Sequence, residues 1–492
     1  MAAALAAAKF ATWPWQHWAA AQPDALALTE GERWWNWDDV AREVERYAAG
    51  LVAQGVKPDH LVAIVAPNSI QLVWLLLAVM RVGARSVGLN PKSSPPELAA
   101  QLRRLDCDFL WTPAPISEIS ARYSAIELRT SDAALPIDID WQPERPLTLT
   151  LTSGSTGAPK AVVHAARTHL ASAQGLLTQM DYQTDDCWLL SLPLFHISGM
   201  AILWRWLYRG ARLRVADAGT LNRALLQVTH ASLVPTQLQR LLAAHPDECV
   251  DGRSDSASET ATPGFALPEF ALKEVLLGGA MIPVSLTEQA EQAGIRCWCG
   301  YGMTEMASTV TAKRADGRAG VGMLLPHREL TIRDGEIYVR GETLALGYYR
   351  QRHIEPLSAQ AWFATKDLAH WEAGELVIHG RADNMFISGG ENVQPESIEQ
   401  VLLAHPEVTQ AIVLPIADPE YGQRPVALIQ TKTATTPLSE PFTQALKAYM
   451  AAQVTAFRRP VHYLKLPEHL SGGGIKISRR KLADWLAHQP LD

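Results

Sequence analysis

Dense basic segments and long apolar runs are both missing from this chain of 492 residues. The formal net charge is −7, with 44 Lys and Arg residues against 51 Asp and Glu residues, which argues against nucleic acid or an anionic membrane as main partner. The longest apolar run, Leu72 to Met80, is too short to cross a bilayer and predicts a buried helix. The Ala-rich segment Met1 to Ala8 has no charged residues before it, unlike a secretory signal. We therefore expect a cytoplasmic protein with no integral membrane segment.

Cysteine is scarce as well. The five cysteines are an odd number scattered along a large chain, which indicates reduced thiols and not a disulfide framework. Cys297 and Cys299 are one residue apart, but no second Cys or His pair lies at zinc-finger spacing. We expect both to be ordinary thiols of the core. The five positions are Cys107, Cys187, Cys249, Cys297 and Cys299.

The first part of the chain alternates helical and strand signals. Asp38 to Gln54 predicts an amphipathic helix that stops at Gly55, and Leu61 to Val65 predicts a buried strand. Pro67 to Ser69 then opens the next helix. This βαβ alternation predicts a parallel sheet with helices on both faces, and the chain length predicts two or more domains.

A domain boundary is predicted after the strand at Glu375 to His379. This strand gives way to a glycine-containing loop at Ser388 to Gly390 and then to a helix at Pro395 to Leu403. The predicted domains are therefore residues 1–382 and residues 383–492, the second being of normal size for a small α+β domain.

Two other features carry no chemistry in this interpretation. Asp251 to Gly264 is polar and unperiodic, which predicts a surface loop. Six tryptophans near the start of the chain are assigned to the core, because such clusters usually pack. They are Trp13, Trp15, Trp18, Trp34, Trp35 and Trp37.

The segment Leu147 to Lys160, LTLTLTSGSTGAPK, predicts a strand that leads into a phosphate-binding loop. Its glycines let backbone N–H groups turn towards an anion, while its hydroxyls and its lysine add donors. A Walker A loop is excluded, because Pro159 precedes the lysine and an alanine follows it. Taken alone, the loop leaves a polar surface turn open. The candidate phosphate-binding residues are Thr152, Ser153, Gly154, Ser155, Thr156, Gly157 and Lys160.

Seven further motifs follow this loop in a fixed order. They are PLFHISG at Pro193 to Gly199, LLGGA at Leu276 to Ala280, GYGMTE at Gly300 to Glu305, GEIYVRGETLALGYY at Gly335 to Tyr349, WFATKDLA at Trp362 to Ala369, GRADNMFISGGENVQPESIE at Gly380 to Glu399, and GGIKISR at Gly473 to Arg479. With the loop, they resemble the adenylate-forming superfamily of acyl-CoA synthetases, adenylation domains and luciferases over nearly the whole chain. The resemblance implies an α/β fold: a large N-terminal domain with βαβ-built sheets and a small β-barrel-like part, then a smaller mobile α+β C-terminal lid.

Less generic segments are similar to one family within it, the o-succinylbenzoate–CoA ligases of menaquinone biosynthesis. These segments include HLASAQG at His169 to Gly175 and THASLVPTQLQRLL at Thr229 to Leu242. The resemblance implies that o-succinylbenzoate attacks ATP to give acyl-AMP and pyrophosphate, after which coenzyme A displaces AMP. It implies ATP, Mg²⁺ and coenzyme A as cofactor and co-substrates. A CoA ligase for another aryl or acyl acid, a luciferase-like oxygenase, a non-catalytic acyl-adenylate-binding protein and a homo-oligomer stay open.

The resemblance implies three catalytic residues. Lys476 matches the lid lysine that bridges the acyl carboxylate and the α-phosphate. Glu305, with the hydroxyl of Thr152 or Thr156, would hold Mg²⁺, which prefers hard oxygen ligands. His196 would line the acyl and CoA channel, although a satisfied core histidine is the alternative.

The resemblance also implies a nucleotide pocket. Asp367 and Arg381 would hold the ribose hydroxyls, since an acceptor beside a donor suits a diol. Tyr301 would stack on adenine, and Lys366, where relatives often have glycine, would point outward. The further nucleotide-binding residues would be Gly278, Gly279, Ala280, Gly302, Met303 and Thr304.

The aromatic carboxylate of o-succinylbenzoate would stay charged inside a pocket. An unpaired buried carboxylate is costly, so a cation or several donors must lie near the ring. We predict Arg205 in this role, with Ser198, Ser308 and Thr309 as hydroxyl donors; a solvated or structural arginine is the alternative.

The resemblance finally implies a rotation of the lid between the two half-reactions. The hinge would be Asp383. Rotation would withdraw Lys476 and bring Ser388, Gly389 and Gly390 to the CoA channel.

Overall fold

The computed structural model describes residues 6–114, 123–135, 139–152, 159–216, 220–243, 272–278, 282–318, 320–357, 361–432, 438–471 and 478–490. Helices and strands alternate in the first part of the chain, as the βαβ pattern predicts. The helices are α1 (Pro14–Ala21), α2 (Trp37–Ala53), α3 (Ile70–Arg81), α4 (Pro95–Leu105), α5 (Ala166–Leu176), α6 (Ile197–Arg209), α7 (Leu221–Leu225), α8 (Pro235–Ala243), α9 (Val284–Gln292), α10 (Pro395–Leu403), α11 (Glu440–Gln453), α12 (Glu468–Ser471) and α13 (Arg479–Leu486).

An eight-stranded sheet carries the phosphate-loop segment. Its strands are β3 (Leu61–Val65), β4 (Arg85–Leu89), β5 (Phe109–Trp111), β6 (Ser124–Ala125), β7 (Pro146–Thr152), β8 (Lys160–Ala165), β20 (Gly347–Arg350) and β21 (His353–Pro356). Their order is β21-β20-β8-β7-β4-β3-β5-β6. The strands from β7 to β6 pair in parallel, whereas β8, β20 and β21 add antiparallel neighbours.

A nine-stranded sheet is the second layer. Its strands are β1 (Leu26–Glu30), β2 (Arg33–Asn36), β9 (Cys187–Leu189), β10 (Arg212–Val215), β11 (His230–Leu233), β12 (Glu274–Leu277), β13 (Arg296–Cys299), β16 (Thr311–Arg314) and β17 (Met323–Leu324), in the order β17-β16-β13-β12-β11-β9-β10-β1-β2. The largest apolar cluster includes residues of both sheets and of helices α2, α3, α5 and α6. The two sheets and these helices therefore share one buried core.

The predicted barrel-like part is a curled half-barrel of four antiparallel strands. They are β18 (Arg328–Arg333), β19 (Glu336–Gly341), β22 (Phe363–Glu372) and β23 (Glu375–Arg381), in the order β18-β19-β22-β23. A short hairpin of β14 (Gly302–Met303) and β15 (Ser308–Thr309) precedes it and encloses Glu305.

The C-terminal part has its own α+β core, as predicted. It begins with the hairpin β24 (Phe386–Ser388) and β25 (Glu391–Val393) and continues with a three-stranded sheet of β26 (Val408–Asp418), β27 (Gly422–Thr431) and β28 (His462–Lys465). Helices α10 and α11 cover this sheet. Across to the first part of the chain, Lys481 of α13 bonds Glu97 of α4 at 2.8 Å, so α13 lies against the N-terminal part.

Most local predictions are confirmed. Helix α2 ends one residue before Gln54, and Gly55 has a left-handed φ of 89° that terminates it. The strand at Leu61 to Val65 and the helix at Pro395 to Leu403 have the predicted bounds, and the apolar run at Leu72 to Met80 lies in the buried helix α3. Asp251 to Gly264 and Cys249 lie outside the described residues.

One assignment to the core is wrong. Trp34 is 56% exposed, because β2 is the edge strand of its sheet and Trp34 faces away from the cluster that holds Trp37. Of the neighbouring thiols, Cys297 is buried and Cys299 is partly buried. Among the described helices, none combines the length and the apolar character that a bilayer crossing needs.

Candidate active site

The strand before the phosphate loop ends where the sequence predicts. β7 and β8 pair antiparallel, and their register sets Thr152 directly opposite Lys160. The connecting residues Ser153, Gly154, Ser155, Thr156 and Gly157 lie outside the described residues. Thr152 and Lys160 therefore mark the two ends of the predicted loop.

Glu305 lies beside this pair of strand ends. The hydroxyl of Tyr348, on β20, donates a hydrogen bond to Oε1 of Glu305 at 3.0 Å. The ammonium of Lys160 lies 4.9 Å from the centroid of the Tyr348 ring. Tyr348 therefore contacts both predicted charged groups: its ring contacts Lys160, the predicted phosphate cation, and its hydroxyl contacts Glu305, the predicted metal ligand.

Two further hydrogen bonds hold the backbone around Glu305. Nε2 of His164 donates to the carbonyl of Thr304 at 2.8 Å, and the N–H of Ala345 donates to the carbonyl of Glu305 at 2.8 Å. Burial lowers the pKa of His164 to about 4, so this histidine is neutral near pH 7. These contacts tie the 304–305 segment to β8 and to the residues just before β20.

Asp367 and Arg381, the predicted ribose pair, are in contact. Nη1 of Arg381 donates to Oδ1 of Asp367 at 2.9 Å, and the Tyr301 hydroxyl donates to Oδ2 of Asp367. Nε and Nη2 of Arg381 donate to the two carboxylate oxygens of Asp383, at 2.9 and 3.1 Å. One guanidinium therefore joins the predicted ribose acid to the predicted hinge residue.

These contacts also shift acid–base equilibria. Burial and the negative charge of Asp367 raise the pKa of Tyr301, so its hydroxyl stays protonated and remains a donor. Burial opposes the charge of Arg381, but hydrogen bonds and charges from Asp383 and Asp367 outweigh it and raise the pKa of Arg381. Lys366 is exposed, as predicted, with a left-handed φ of 65°.

Arg205 is buried, with 2% of its surface exposed. This excludes the solvated alternative. Its Nη1 donates to Oγ of Ser232 at 3.2 Å, and its guanidinium carbon lies 5.1 Å from the centroid of the Trp188 ring. Burial lowers the pKa of Arg205 to about 9, which leaves it charged at neutral pH. Within the described residues, Arg205 forms no ion pair with a carboxylate.

A second buried arginine supports the neighbouring hairpin. Nη2 of Arg328 donates to the carbonyl and the hydroxyl of Ser172, and Ser172 donates to the carbonyl of Ala307 at 2.6 Å. Ala307 and Ser308 have positive φ angles of 52° and 106°. The Ser172 contact thus stabilises the turn that presents Ser308 and Thr309, and α6, which carries Arg205, packs on the strand they form.

His196 is the N-terminal cap residue of α6, and its ring centroid lies 4.5 Å from that of Phe195. Ser198 lies in the first turn of the same helix. A Cβ on Gly88 of β4 would come within 2.7 Å of the Phe195 backbone, so only glycine admits this segment against the sheet.

The remaining predicted residues are only partly placed. Gly278 follows β12, whereas Gly279 and Ala280 lie outside the described residues, as does Lys476. The predicted loop at Ser388 to Gly390 is the turn of the tight β24–β25 hairpin, in which both glycines have positive φ angles, of 59° and 85°. Gly302 and Met303 form β14 and lead to Thr304 and Glu305.

The sequence alone does not predict a role in this site for three residues: Tyr348, Ser232 and His164. Tyr348 and Ser232 lie in the recognised GYY and THASLVP motifs, but nothing local indicates a partner. His164 follows an apolar run and reads as a core residue. Each of them meets its partner through tertiary packing, since Arg205 lies on helix α6 and Thr304 and Glu305 lie between β14 and β15.

Comparison with known proteins identifies the family of this chain. The family model described as AMP-binding enzyme matches residues 15–349, and that described as AMP-binding enzyme C-terminal domain matches residues 397–472. The chain belongs to the AMP-binding enzyme family. In this AMP-binding enzyme, the predicted hinge residue Asp383 lies between the two matched ranges.

Named relatives in the family are similar over nearly their whole length. The 2-succinylbenzoate–CoA ligase of Salmonella typhimurium is 44% identical over 97% of this chain and 98% of its own. A solved arginine-to-lysine variant of Escherichia coli MenE with bound OSB-AMS is 41% identical over 97% of this chain and 98% of its own, with a TM-score of 0.84. The Bacillus subtilis o-succinylbenzoate coenzyme A synthetase in complex with ATP and magnesium ion is 26% identical over 92% and 96% of the chains, with a TM-score of 0.77.

Proposed function

We propose that this AMP-binding enzyme is an ATP-dependent o-succinylbenzoate–CoA ligase, an AMP-forming acid–thiol ligase. It activates the succinyl carboxylate as acyl-AMP with release of pyrophosphate, and then transfers the acyl group to coenzyme A. The observation that carries the substrate is Arg205. A buried cation without a carboxylate among the described residues is what a substrate with a second, non-reacting carboxylate requires.

An acidic, an aromatic and a basic residue hold the ribose, the adenine and the phosphates of the nucleotide. Asp367 accepts from the ribose hydroxyls, and its orientation is set by Tyr301 and Arg381. The Tyr301 ring stacks on the adenine, beside the Gly278 to Ala280 and Gly302 to Thr304 segments. Lys160 and the loop that starts at Thr152 supply donors to the β- and γ-phosphates.

The donor set fits Mg²⁺. Glu305 offers a carboxylate of which Oε1 is oriented by Tyr348, and Thr152 offers a hydroxyl across the strand pair from Lys160. Hard oxygen ligands of this kind suit Mg²⁺, which supplies charge neutralisation at the phosphates when bound. Lys476 offsets the repulsion between the attacking carboxylate and the α-phosphate.

The acyl group lies between α6 and the β14–β15 hairpin. Arg205 pairs with the aromatic carboxylate, with Ser198, Ser308 and Thr309 as further donors, and His196 lines the channel towards coenzyme A. The two domains, residues 1–382 and 383–492, rotate about Asp383 to bring the Ser388–Gly390 hairpin to this channel. We place the reaction in the cytoplasm, where ATP and coenzyme A are available.

Pyrophosphate release tests the proposal. Protein, ATP and Mg²⁺ are mixed with o-succinylbenzoate, with 4-oxo-4-phenylbutanoate, which has no aromatic carboxylate, or with benzoate. We expect pyrophosphate release to be much faster with o-succinylbenzoate than with either monoacid, followed by an o-succinylbenzoyl thioester once coenzyme A is added. No pyrophosphate with o-succinylbenzoate contradicts the proposal, and a preference for a monoacid replaces it with a ligase for another aryl acid.

A further inference from the structure

Tyr348 lies between the two charged groups that the proposed function sets at the ATP phosphates. Its hydroxyl is 3.0 Å from Oε1 of Glu305, and the ammonium of Lys160 is 4.9 Å from the centroid of its ring. Neither the motifs nor the comparisons assign a role to this side chain. A tyrosine that contacts both groups can couple their positions.

Strand register explains how Tyr348 reaches both partners. β20 pairs antiparallel with β8, and Tyr348 lies opposite Val162. Val162 and Lys160 are alternate residues of β8 and share a face, so the ring is the diagonal neighbour of Lys160. Ala345, three residues before Tyr348, donates its N–H to the carbonyl of Glu305 at 2.8 Å. One short segment thus holds both the backbone and the carboxylate of Glu305.

The chemistry of the contact suits a support for a cation ligand. The hydroxyl of Tyr348 is the donor of this hydrogen bond, since a carboxylate oxygen only accepts. One donated hydrogen bond occupies one of the four lone-pair positions of the carboxylate and leaves the others open to a cation. Donors behind a metal-ligating carboxylate commonly fix its orientation. The electron-rich face of the Tyr348 ring also attracts the ammonium of Lys160 through a cation–π interaction.

We propose that Tyr348 is a positioning residue of the adenylation half-reaction: its hydroxyl orients Glu305 for the divalent cation of the nucleotide, and its ring places Lys160. This inference rests on the proposed function for the role of Glu305 and Lys160. It predicts a defect in the binding of the metal–nucleotide complex, with no effect on the transfer to coenzyme A.

Tyr348→Phe is the test, since it removes the hydroxyl and keeps the ring. We expect the half-saturating Mg²⁺ concentration in acid-dependent ATP–pyrophosphate exchange to rise about tenfold. We expect the same rise in the Mn²⁺ concentration needed to load the protein with α,β-methylene-ATP. Electron paramagnetic resonance of free Mn²⁺ measures this loading. Thioester formation from supplied acyl-AMP stays at the wild-type rate.

Tyr349→Phe is the matched control. Tyr349 is the next residue of β20 and packs in the apolar cluster on the opposite face, so its variant leaves both Mg²⁺ and Mn²⁺ dependence unchanged. Tyr348→Leu removes the ring as well and is expected to weaken binding of metal-free ATP, which Tyr348→Phe does not.

Two results overturn the inference. One is an unchanged metal requirement in Tyr348→Phe. The other is an equal loss in both half-reactions together with a lower Tm of the ligand-free protein, which marks a structural role only. Failure of the substrate assignment is distinguishable, because wild-type protein then shows no exchange with o-succinylbenzoate while the Mn²⁺ titration with the ATP analogue still reports on Tyr348.

Discussion

Asp367 and Arg381 lie directly opposite each other on β22 and β23, and Nη1 of Arg381 donates to Oδ1 of Asp367 at 2.9 Å. Because Arg381 also binds Asp383, the proposed ribose acid and the proposed hinge residue share one guanidinium. We therefore propose that nucleotide binding and lid position are linked through this continuous set of charged hydrogen bonds.

Asp367→Asn tests the ribose site. The amide keeps the size of the side chain but removes the charge that Tyr301, Arg381 and a ribose diol all contact. We expect the KM for ATP to rise roughly 30-fold, since hydrogen bonds to charged groups are worth about 1.5–3 kcal/mol. Initial rates of pyrophosphate release against ATP concentration provide the measurement. Asp334→Asn, in an exposed turn, is the control; a KM that matches this control contradicts the ribose assignment.

Arg205→Met tests the aromatic carboxylate site, since methionine keeps the apolar stem beside Trp188 and removes the cation. The KM for o-succinylbenzoate is expected to rise about 100-fold or more, as one partner of a buried charge pair is removed. The KM for 4-oxo-4-phenylbutanoate changes little, because that acid has no aromatic carboxylate.

Arg209→Met, one turn along α6, is the control for the Arg205 variant and keeps wild-type values for both acids. An unchanged KM for o-succinylbenzoate in Arg205→Met disproves the assignment. An equal rise for both acids shows a general packing defect instead.

Lys476→Ala tests the separation of the half-reactions. The lysine is proposed to act only while the carboxylate attacks ATP, so adenylation falls by several orders of magnitude while thioester formation from supplied acyl-AMP persists. Lys447→Ala, on the exposed face of α11, leaves both rates at wild-type level. Equal loss of both half-reactions in Lys476→Ala is incompatible with a role confined to the first step.

The buried His164 is expected to make the free energy of unfolding sensitive to acid. Its folded-state pKa is lowered by burial to about 4, below the ordinary 6.5. The unfolded chain therefore binds a proton that the folded protein excludes between these values, and the stability present above pH 6.5 is lost as the pH falls towards 4. At about 1.4 kcal/mol per pKa unit, this loss is roughly 3 kcal/mol.

Urea unfolding at several pH values measures the His164 contribution. His164→Gln retains an N–H donor for the carbonyl of Thr304 but does not titrate, so its free energy of unfolding falls less steeply between pH 6.5 and 4. His353→Gln, at an exposed strand position, keeps the wild-type slope. If the free energy of unfolding of His164→Gln falls with pH as steeply as that of the wild type, His164 is not the group that causes the loss of stability.

Local features were predictable because their causes are local. Helix α2 has a capping box at Asn36 and Asp39 and ends before a glycine, so its bounds follow from a few adjacent residues. The order of the motifs likewise indicated the family and most candidate contacts of ATP. Trp34 was misassigned because residue type does not reveal that β2 is an edge strand.

Contacts across the fold were not predictable. The alternation in LTLTLT predicts a strand, but Thr148 and Thr150 are as buried as the leucines, and Thr148 shares a hydrogen bond with His169 at 2.7 Å. Such polar pairs depend on which strands and helices become neighbours, which a single strand pattern does not specify.

The sequence by itself determined the family, the order of the catalytic motifs and the local elements that carry them, since capping, periodicity and glycine placement act over a few residues. The tertiary structure alone decided that Arg205 is a buried cation, that Arg381 joins Asp367 to Asp383, and that Tyr348 contacts Glu305 and Lys160. These relations depend on strand register and helix packing, which bring together residues far apart along the chain.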